Sequence, residues 1–260
     1  IPNNTTHRSA TIQRIRIGAT RDGKITAIGH EAWSGNLKDG SPENAATQTR
    51  ALYAGEHRMT SNRVAAMDLP ESNAMRAPGE APGMAALEIA MDEMAEKLGM
   101  DPVQFRILND TQVVPDNPEK PASSDPQSKK PEKEKHIANP PFSKRQFIQC
   151  LQTGARRFGW ERRGKPGATR DGRWLVGMGV AGAFRDSLLT KSAARVRLDR
   201  RGILTVETDM TDIGTGSYTI IAQTASEMMG VPLERVRVRL GDSSLPASCG
   251  SGGQWGGHNS

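Results

Sequence analysis

Cysteine is almost missing from this 260-residue chain: Cys150 and Cys249 are the only two, and they lie far apart. Without a C-x-x-C pair the chain carries no pattern for a zinc or iron–sulfur site of its own, and no set of metal ligands is assigned. A single disulfide between the two cysteines stays open. Aromatic residues make up 4%, which leaves little to stack nucleic-acid bases on. No apolar run approaches the length of a membrane span. The opening stretch, "IPNNTTHRSA", has neither an initiator Met nor the pattern of a signal peptide. There is no P-loop and no dinucleotide fingerprint, nor any defensible Ser/His/Asp or Cys/His arrangement. The five histidines are scattered and read as surface or structural residues.

What is present is a basic chain with a lean core. Hydrophobic residues are 35%, the formal net charge is +6 and the mean hydropathy is −0.58. A basic balance permits binding to nucleic acid or an acidic protein partner, so a non-catalytic basic binding module is the alternative reading. Its weakness is that Arg and Lys are spread along the chain rather than clustered.

"TIQRIRIGATRDGKITAIGHEAWSG" predicts a β-hairpin turning at Arg21-Asp22-Gly23-Lys24. "ARVRLDRRGILTVETDM" predicts a second, turning at Arg201-Gly202. The two share a short pattern and could be ordinary hairpins or the mark of two related halves. Pro82 to Leu98 reads as a helix, with Leu87, Met91, Met94 and Leu98 on one face. Asp101-Pro102 then starts another, Asp as N-cap and Pro at the first helical position. A capping-box pattern at Ser143 to Gln146 predicts a helix through Phe158, striped by Phe147, Leu151, Ala155 and Phe158. Thr215 to Met229 predicts a helix with Tyr218, Ile221, Ala225 and Met228 on one face, and Val236 to Leu240 a strand. Between these lies Pro118 to Pro141, rich in Pro, Lys, Glu and Ser, which reads as an exposed, mobile linker. The fold expected is α+β, two lobes of mixed sheets with packed helices, divided as 1–114, a linker or insertion over 115–142, and 143–260.

Three glycine-containing stretches could carry chemistry. "MRAPGEAPG" puts Arg76 on a stiff turn ahead of a helix, which reads either as a surface loop with a solvated arginine or as an anion holder. "TDIGTGSYT" places Gly214 and Gly216 between a strand and a helix. "SCGSGGQWGG" follows the last strand, with Ser251, Gly252, Gly253 and Gln254 as candidate donors. Taken singly, each is also what an ordinary turn looks like. Glu71, Glu80, Asp209 and Asp212 are carboxylates that nothing in the sequence pairs.

As a set, in this order, these stretches resemble the molybdenum-binding subunit of the xanthine dehydrogenase/aldehyde oxidase family. The residues that carry the likeness are Arg76-Ala77-Pro78-Gly79, Ala95 to Gly99, Asp101-Pro102 through Arg106 to Asn109, and the segment from Asp212 to Gly256. "RAPGEAPG" and "GSGGQWG" are most similar to the bacterial periplasmic aldehyde oxidoreductase branch. The resemblance implies the α+β molybdopterin-binding domains of that family, split between a first domain (1–114) and a second (143–260). It implies oxidation of aldehydes to carboxylic acids with water as the oxygen source, and a molybdenum–molybdopterin cytosine dinucleotide cofactor. It also implies an iron–sulfur subunit and an FAD subunit as partners, a small aldehyde as substrate, no nucleic acid, no membrane span, and a periplasmic location, with the cytoplasm as second choice. Arg76 then stands beside the substrate as the oxyanion-stabilising residue. Arg76, Ala77, Gly79, Gly214, Thr215, Gly216, Ser251, Gly252, Gly253 and Gln254 hold the cofactor. Two departures stand out. The family usually has Gly-Gln-Gly where this chain has Gly214-Thr215-Gly216. Its catalytic glutamate lies downstream of the stretch matching "GSGGQWG", so the resemblance implies the middle of a catalytic subunit, inactive by itself.

Overall fold

The computed structural model describes residues 6–113, 141–142, 144–185 and 190–251. The chain divides into two compact units, Ile1–Arg185 and Asp186–Ser260. The fold is α+β, of mixed sheets and helices, as expected.

In the first unit, β1 (Thr11–Ala19) and β2 (Ile25–Asn36) form the antiparallel hairpin, Ile15 facing His30 across the ladder. Its turn closes at Thr20 and Lys24 with a 2.9 Å backbone hydrogen bond. After the short helix α1 (Thr49–Leu52), a strand the sequence reading did not anticipate, β3 (His57–Ala66), pairs parallel with β2. The sheet order is β1-β2-β3. Helix α2 (Glu80–Leu98) starts two residues ahead of the predicted Pro82 and ends at Gly99 in the left-handed conformation, where glycine caps a helix without strain. Leu87, Met91 and Ala95, one turn apart along it, are fully buried with Ile28, Leu52, Tyr53 and Phe105. Met94 and Leu98 pack against that core, as the apolar spacing required.

Helix α3 (Pro102–Leu108) is capped as read: the Asp101 carboxylate accepts from the amides of Val103 and Gln104 at 2.9 and 3.0 Å. Two residues of this segment then lock the unit together. Asn109 accepts from the Ile25 amide at 2.8 Å and donates to the carbonyls of Gly23 and Phe105 at 2.9 and 2.8 Å, so it staples the hairpin turn to α3. Arg106, wholly buried, donates from Nε to the Glu88 carboxylate at 2.7 Å. The Tyr53 hydroxyl donates to the other Glu88 oxygen at 2.5 Å.

Residues 144–185 belong to this unit. The predicted helix start at Ser143 is not where the helix begins: α4 runs Phe147–Phe158, with Gln146 at its N-cap position in the left-handed region (φ 49°) and no side-chain cap. Arg145 explains the delay. Its guanidinium donates to Asp110 (2.6 Å) and to the carbonyls of Ala51 and Leu52 (2.9 and 2.7 Å), and lies over the rings of Phe142, Phe147 and Phe184. Those contacts outweigh a local cap, so the chain turns helical only after them. Leu151 is buried and Phe147 packs on the core, whereas Phe158 is more than half exposed. A small hairpin, β4 (Thr169–Asp171) and β5 (Trp174–Val176), follows.

The second unit repeats the sheet plan. β6 (Arg195–Leu198) and β7 (Leu204–Glu207) are antiparallel, and β8 (Val236–Arg239) returns parallel to β7 after helix α5 (Ser217–Met229). Val206, Met210 and Ile221 form the buried core, with Ala225, Val238 and Leu240 against it. Tyr218 and Met228, expected on the same face of α5, are exposed. In both units the central strand carries a glutamate set between arginines of its neighbours: Glu31 by Arg16 and Arg63 at 3.8 and 3.9 Å, and Glu207 by Arg195, Arg197 and Arg239 at 3.3, 2.5 and 2.8 Å. The Arg197 hydrogen bond, with its charge and those of the other two arginines, holds the Glu207 carboxyl below the usual carboxylate range. The two units thus share one strand order, hairpin then parallel strand, with a glutamate in the central strand of each.

Candidate cofactor site

Three segments were singled out by sequence. The first, Arg76 to Gly79, is a turn whose shape is set by its neighbours. Ala77 has φ 56° and Gly79 φ 77°, both in the left-handed region. The Gly79 amide donates to Glu43 Oε1 at 2.6 Å. Arg8 donates from one guanidinium nitrogen to the Arg76 carbonyl, and from the other to the Ala77 carbonyl (3.3 Å) and to Glu43 Oε1 (2.9 Å). The amides of Ala81 and Gly83 are bonded back to the carbonyls of Ala77 and Gly79, and Pro82 has none. The start of α2 therefore spends these amides internally, and what the turn presents outward is the exposed side chain of Arg76. Glu80, buried, makes a 3.5 Å ion pair with Arg185; it is a partner for that arginine and not for Arg76. A cleft of about 260 Å³ borders the turn, lined by Glu43, Asn44, Ser72, Asn73 and Pro78 among others.

The second and third segments meet in the second unit. The Thr211 amide donates to Ser251 Oγ at 2.6 Å, and the Ser248 amide to Asp209 at 2.7 Å. Asp212 folds back into its own loop: its Oδ1 accepts from the amides of Gly214 and Thr215 at 2.8 and 2.9 Å. Those bonds, led by Gly214, hold the Asp212 carboxyl below its ordinary range. They also delay α5, which starts at Ser217 and not at Thr215. The Thr215 hydroxyl lies 3.1 Å from that of Ser217. Gly214, Gly216 and Gly250 all have positive φ, and a Cβ on any of them would meet no atom within 4 Å. The loop is thus braced from within by Asp212, while its glycine faces stay open. Gly252, Gly253 and Gln254 lie outside the described residues, as does the insert from Pro118 up to residue 140. Among the described residues no group of three or more His, Cys, Asp or Glu is placed to hold a metal ion.

Arg8 and Glu43 are the residues that reading the sequence missed. They lie 68 and 33 positions before Arg76, with no local pattern to link them. Asp212 carried a usable signal: Asp two residues ahead of a glycine is the pattern of a side chain bonding its own turn.

Two α+β units with matching sheets carry glycine-containing loops at the entrances of their main helices, one ahead of α2 and one ahead of α5. Two family models, each described as a molybdopterin cofactor-binding domain, match residues 3–110 and 153–257. The chain belongs to the molybdopterin cofactor-binding domain family. It is 62% identical over 261 aligned residues, its whole length, to the aldehyde oxidoreductase molybdenum-binding subunit PaoC of Escherichia coli K12, of which it covers 33%. It is 29% identical over 188 residues to the xanthine dehydrogenase molybdenum-binding subunit of Escherichia coli O157:H7, covering 22% of that protein. The chain thus spans about a third of the length of the curated relatives it matches most fully. In fold it is similar to quinoline 2-oxidoreductase from Pseudomonas putida 86 (TM-score 0.68, 17% identity, 95% of this chain and 32% of that one). It is also similar to the aldehyde oxidoreductase of Desulfovibrio desulfuricans (TM-score 0.62, 23% identity, 94% and 26%).

Proposed function

We propose that this chain is part of the catalytic subunit of a molybdenum hydroxylase that oxidises small aldehydes to carboxylic acids. The observation that carries the reading is the 62% identity, along the whole chain, to an aldehyde oxidoreductase molybdenum-binding subunit. The net reaction takes aldehyde and water to carboxylic acid, two protons and two electrons. The water supplies the oxygen, and iron–sulfur and FAD partner subunits carry the electrons away. The cofactor is molybdopterin cytosine dinucleotide, which when bound supplies the redox centre.

The residues of the second unit fit such a group: Gly214, Gly216 and Gly250 keep their loops open on the side where a Cβ would project, and the exposed Thr215, whose hydroxyl lies beside that of the buried Ser217, offers a polar contact there. Ser251 fastens one loop to the other. In the first unit Arg76 does the electrostatic work. A guanidinium on a preformed turn faces a developing negative charge without having to reorganise, which is where such a group lowers a barrier most. On this reading the enzyme works in the periplasm, and among the described residues no helix is long and apolar enough to cross a membrane.

Arg76→Ala in the holoenzyme tests this. Turnover is expected to fall about a hundredfold, roughly 3 kcal/mol of barrier, while molybdenum and pterin content stay unchanged. Arg76→Lys should recover only part, because an ammonium lacks the planar fork. Wild-type turnover by Arg76→Ala at full molybdenum occupancy would remove Arg76 from the site. Metal and nucleotide analysis of the same preparation checks the cytosine dinucleotide, and cell fractionation checks the compartment.

A further inference from the structure

We propose that Arg8 and Glu43 are positioning residues for Arg76: an ion-paired clamp that holds the turn carrying it. The inference rests on the functional reading of Arg76 above.

The clamp is a closed ring of bonds. Arg8 donates to the carbonyls of Arg76 and Ala77, Glu43 accepts the Gly79 amide, and the two side chains pair at 2.9 Å. The backbone on both sides of Pro78 is therefore gripped through its polar groups. This turn needs a grip. Ala77 sits at φ 56°, a region that a residue with a Cβ occupies only when its surroundings hold it there. The Glu43 side chain is 6% exposed, so water competes little for its oxygens. Arg8 itself is held in place: the His7 carbonyl accepts from the Asn73 amide at 3.1 Å, and the Ser9 hydroxyl lies 2.9 Å from Gly35 O and 2.6 Å from the Ser72 hydroxyl. The segment around Arg8 is thus sewn to the chain just ahead of the turn.

Neither Arg8 nor Glu43 belongs to the apolar core that anchors α2 through Leu87, Met91 and Ala95. Loosening the clamp should leave the helix docked and let only the turn relax. An arginine that acts by pointing at a developing charge is sensitive to that: a displacement near 1 Å can cost up to about a hundredfold in rate.

The test uses Arg8→Lys and Glu43→Gln in the holoenzyme, both close in size to the native residues, beside Arg76→Ala. In each clamp variant kcat is expected to fall roughly tenfold or more with little change in KM, since the lost alignment matters in the transition state. Hydrogen exchange at the Gly79 amide should quicken, with exchange in α2 beyond Leu87 unchanged. Arg8→Lys combined with Arg76→Ala should be no slower than Arg76→Ala alone. Wild-type kcat in both clamp variants, while Arg76→Ala is slow, would overturn the proposal. So would an additive double variant, or exchange that rises equally throughout the unit. A silent Arg76→Ala would instead sink the functional reading and the kinetic role with it, and Gly79 exchange would still decide whether the clamp holds the turn.

Discussion

Arg106 and Glu88 form an ion pair inside the first unit, Nε to Oε2 at 2.7 Å, with the arginine side chain wholly buried and the glutamate 5% exposed. Glu88 also takes the Tyr53 hydroxyl and the Gly182 amide, the latter at 2.7 Å, and Arg106 donates to the carbonyls of Pro102 and Glu88 at 3.0 and 3.1 Å. Apart from the Arg106–Pro102 bond inside α3, this network ties together α2, α3, the end of α1 and the segment at 182.

Breaking it from one side should be costly. Arg106→Met leaves a buried carboxylate without its cation, and a loss of about 3–5 kcal/mol of unfolding free energy is expected. The double variant with Glu88→Gln should lose less than the sum of the two singles, since the buried Glu88 charge no longer stands unpaired; the half-exposed Asp92 loses its 2.8 Å partner alike in both Arg106→Met proteins. Urea denaturation of all four proteins closes the cycle, and additive losses would mean that the pair is not coupled.

His30 gives the first unit a pH dependence. It is completely buried on β2, with Nδ1 2.6 Å from the Thr49 hydroxyl and Nε2 2.9 Å from the Gln13 side-chain oxygen. Burial lowers its pKa from 6.5 to about 4, so the folded state keeps it neutral where the unfolded chain would protonate it. Its contribution is present in full above pH 6.5 and is lost as pH falls toward about 4. The total is on the order of 3 kcal/mol. His30→Gln should flatten the decline in denaturation midpoint between pH 7 and 5 relative to the native chain, a window mostly above the carboxylate titrations. An unchanged slope would show that His30 is not the titrating group.

Two helix glycines should respond to alanine with opposite signs. At Gly83 in α2 a Cβ would stand 1.8 Å from the Ala45 carbonyl oxygen, so the helix and the 45 segment would have to separate. Gly83→Ala should destabilise by roughly 2 kcal/mol. At Gly154 in α4 nothing lies within 4 Å, and Gly154→Ala should gain up to about 1 kcal/mol from helix propensity alone. Thermal unfolding of the two variants measures both shifts, and a stabilised Gly83→Ala would show that α2 does not pack so closely there.

Local chemistry by itself determined a good part of this protein. Alternating isoleucines around Asp22-Gly23 specify the first hairpin, because the turn and both strands lie within 26 residues. The spacing of Leu87, Met91 and Met94 specifies a helix face, and Asp101-Pro102 specifies where the next helix starts, because a cap needs only the residues beside it. The order of the glycine stretches marked the cofactor family. Tertiary structure decided the rest. Strand β3 has no clean apolar alternation, and it forms because β2 offers it a parallel ladder across a long connection. Helix α4 begins at Phe147 because Arg145 finds acceptors at Ala51, Leu52 and Asp110, far back in the chain. Tyr218 and Met228 sit outside because the three-stranded sheet under α5 covers only the Ile221 and Ala225 part of that helix. The clamp on Arg76 joins residues 8, 43 and 79, a juxtaposition that no periodicity encodes. A hydrogen bond or ion pair between distant residues depends on where the whole fold brings them, whereas a cap, a turn or an apolar stripe depends on neighbours within a few positions.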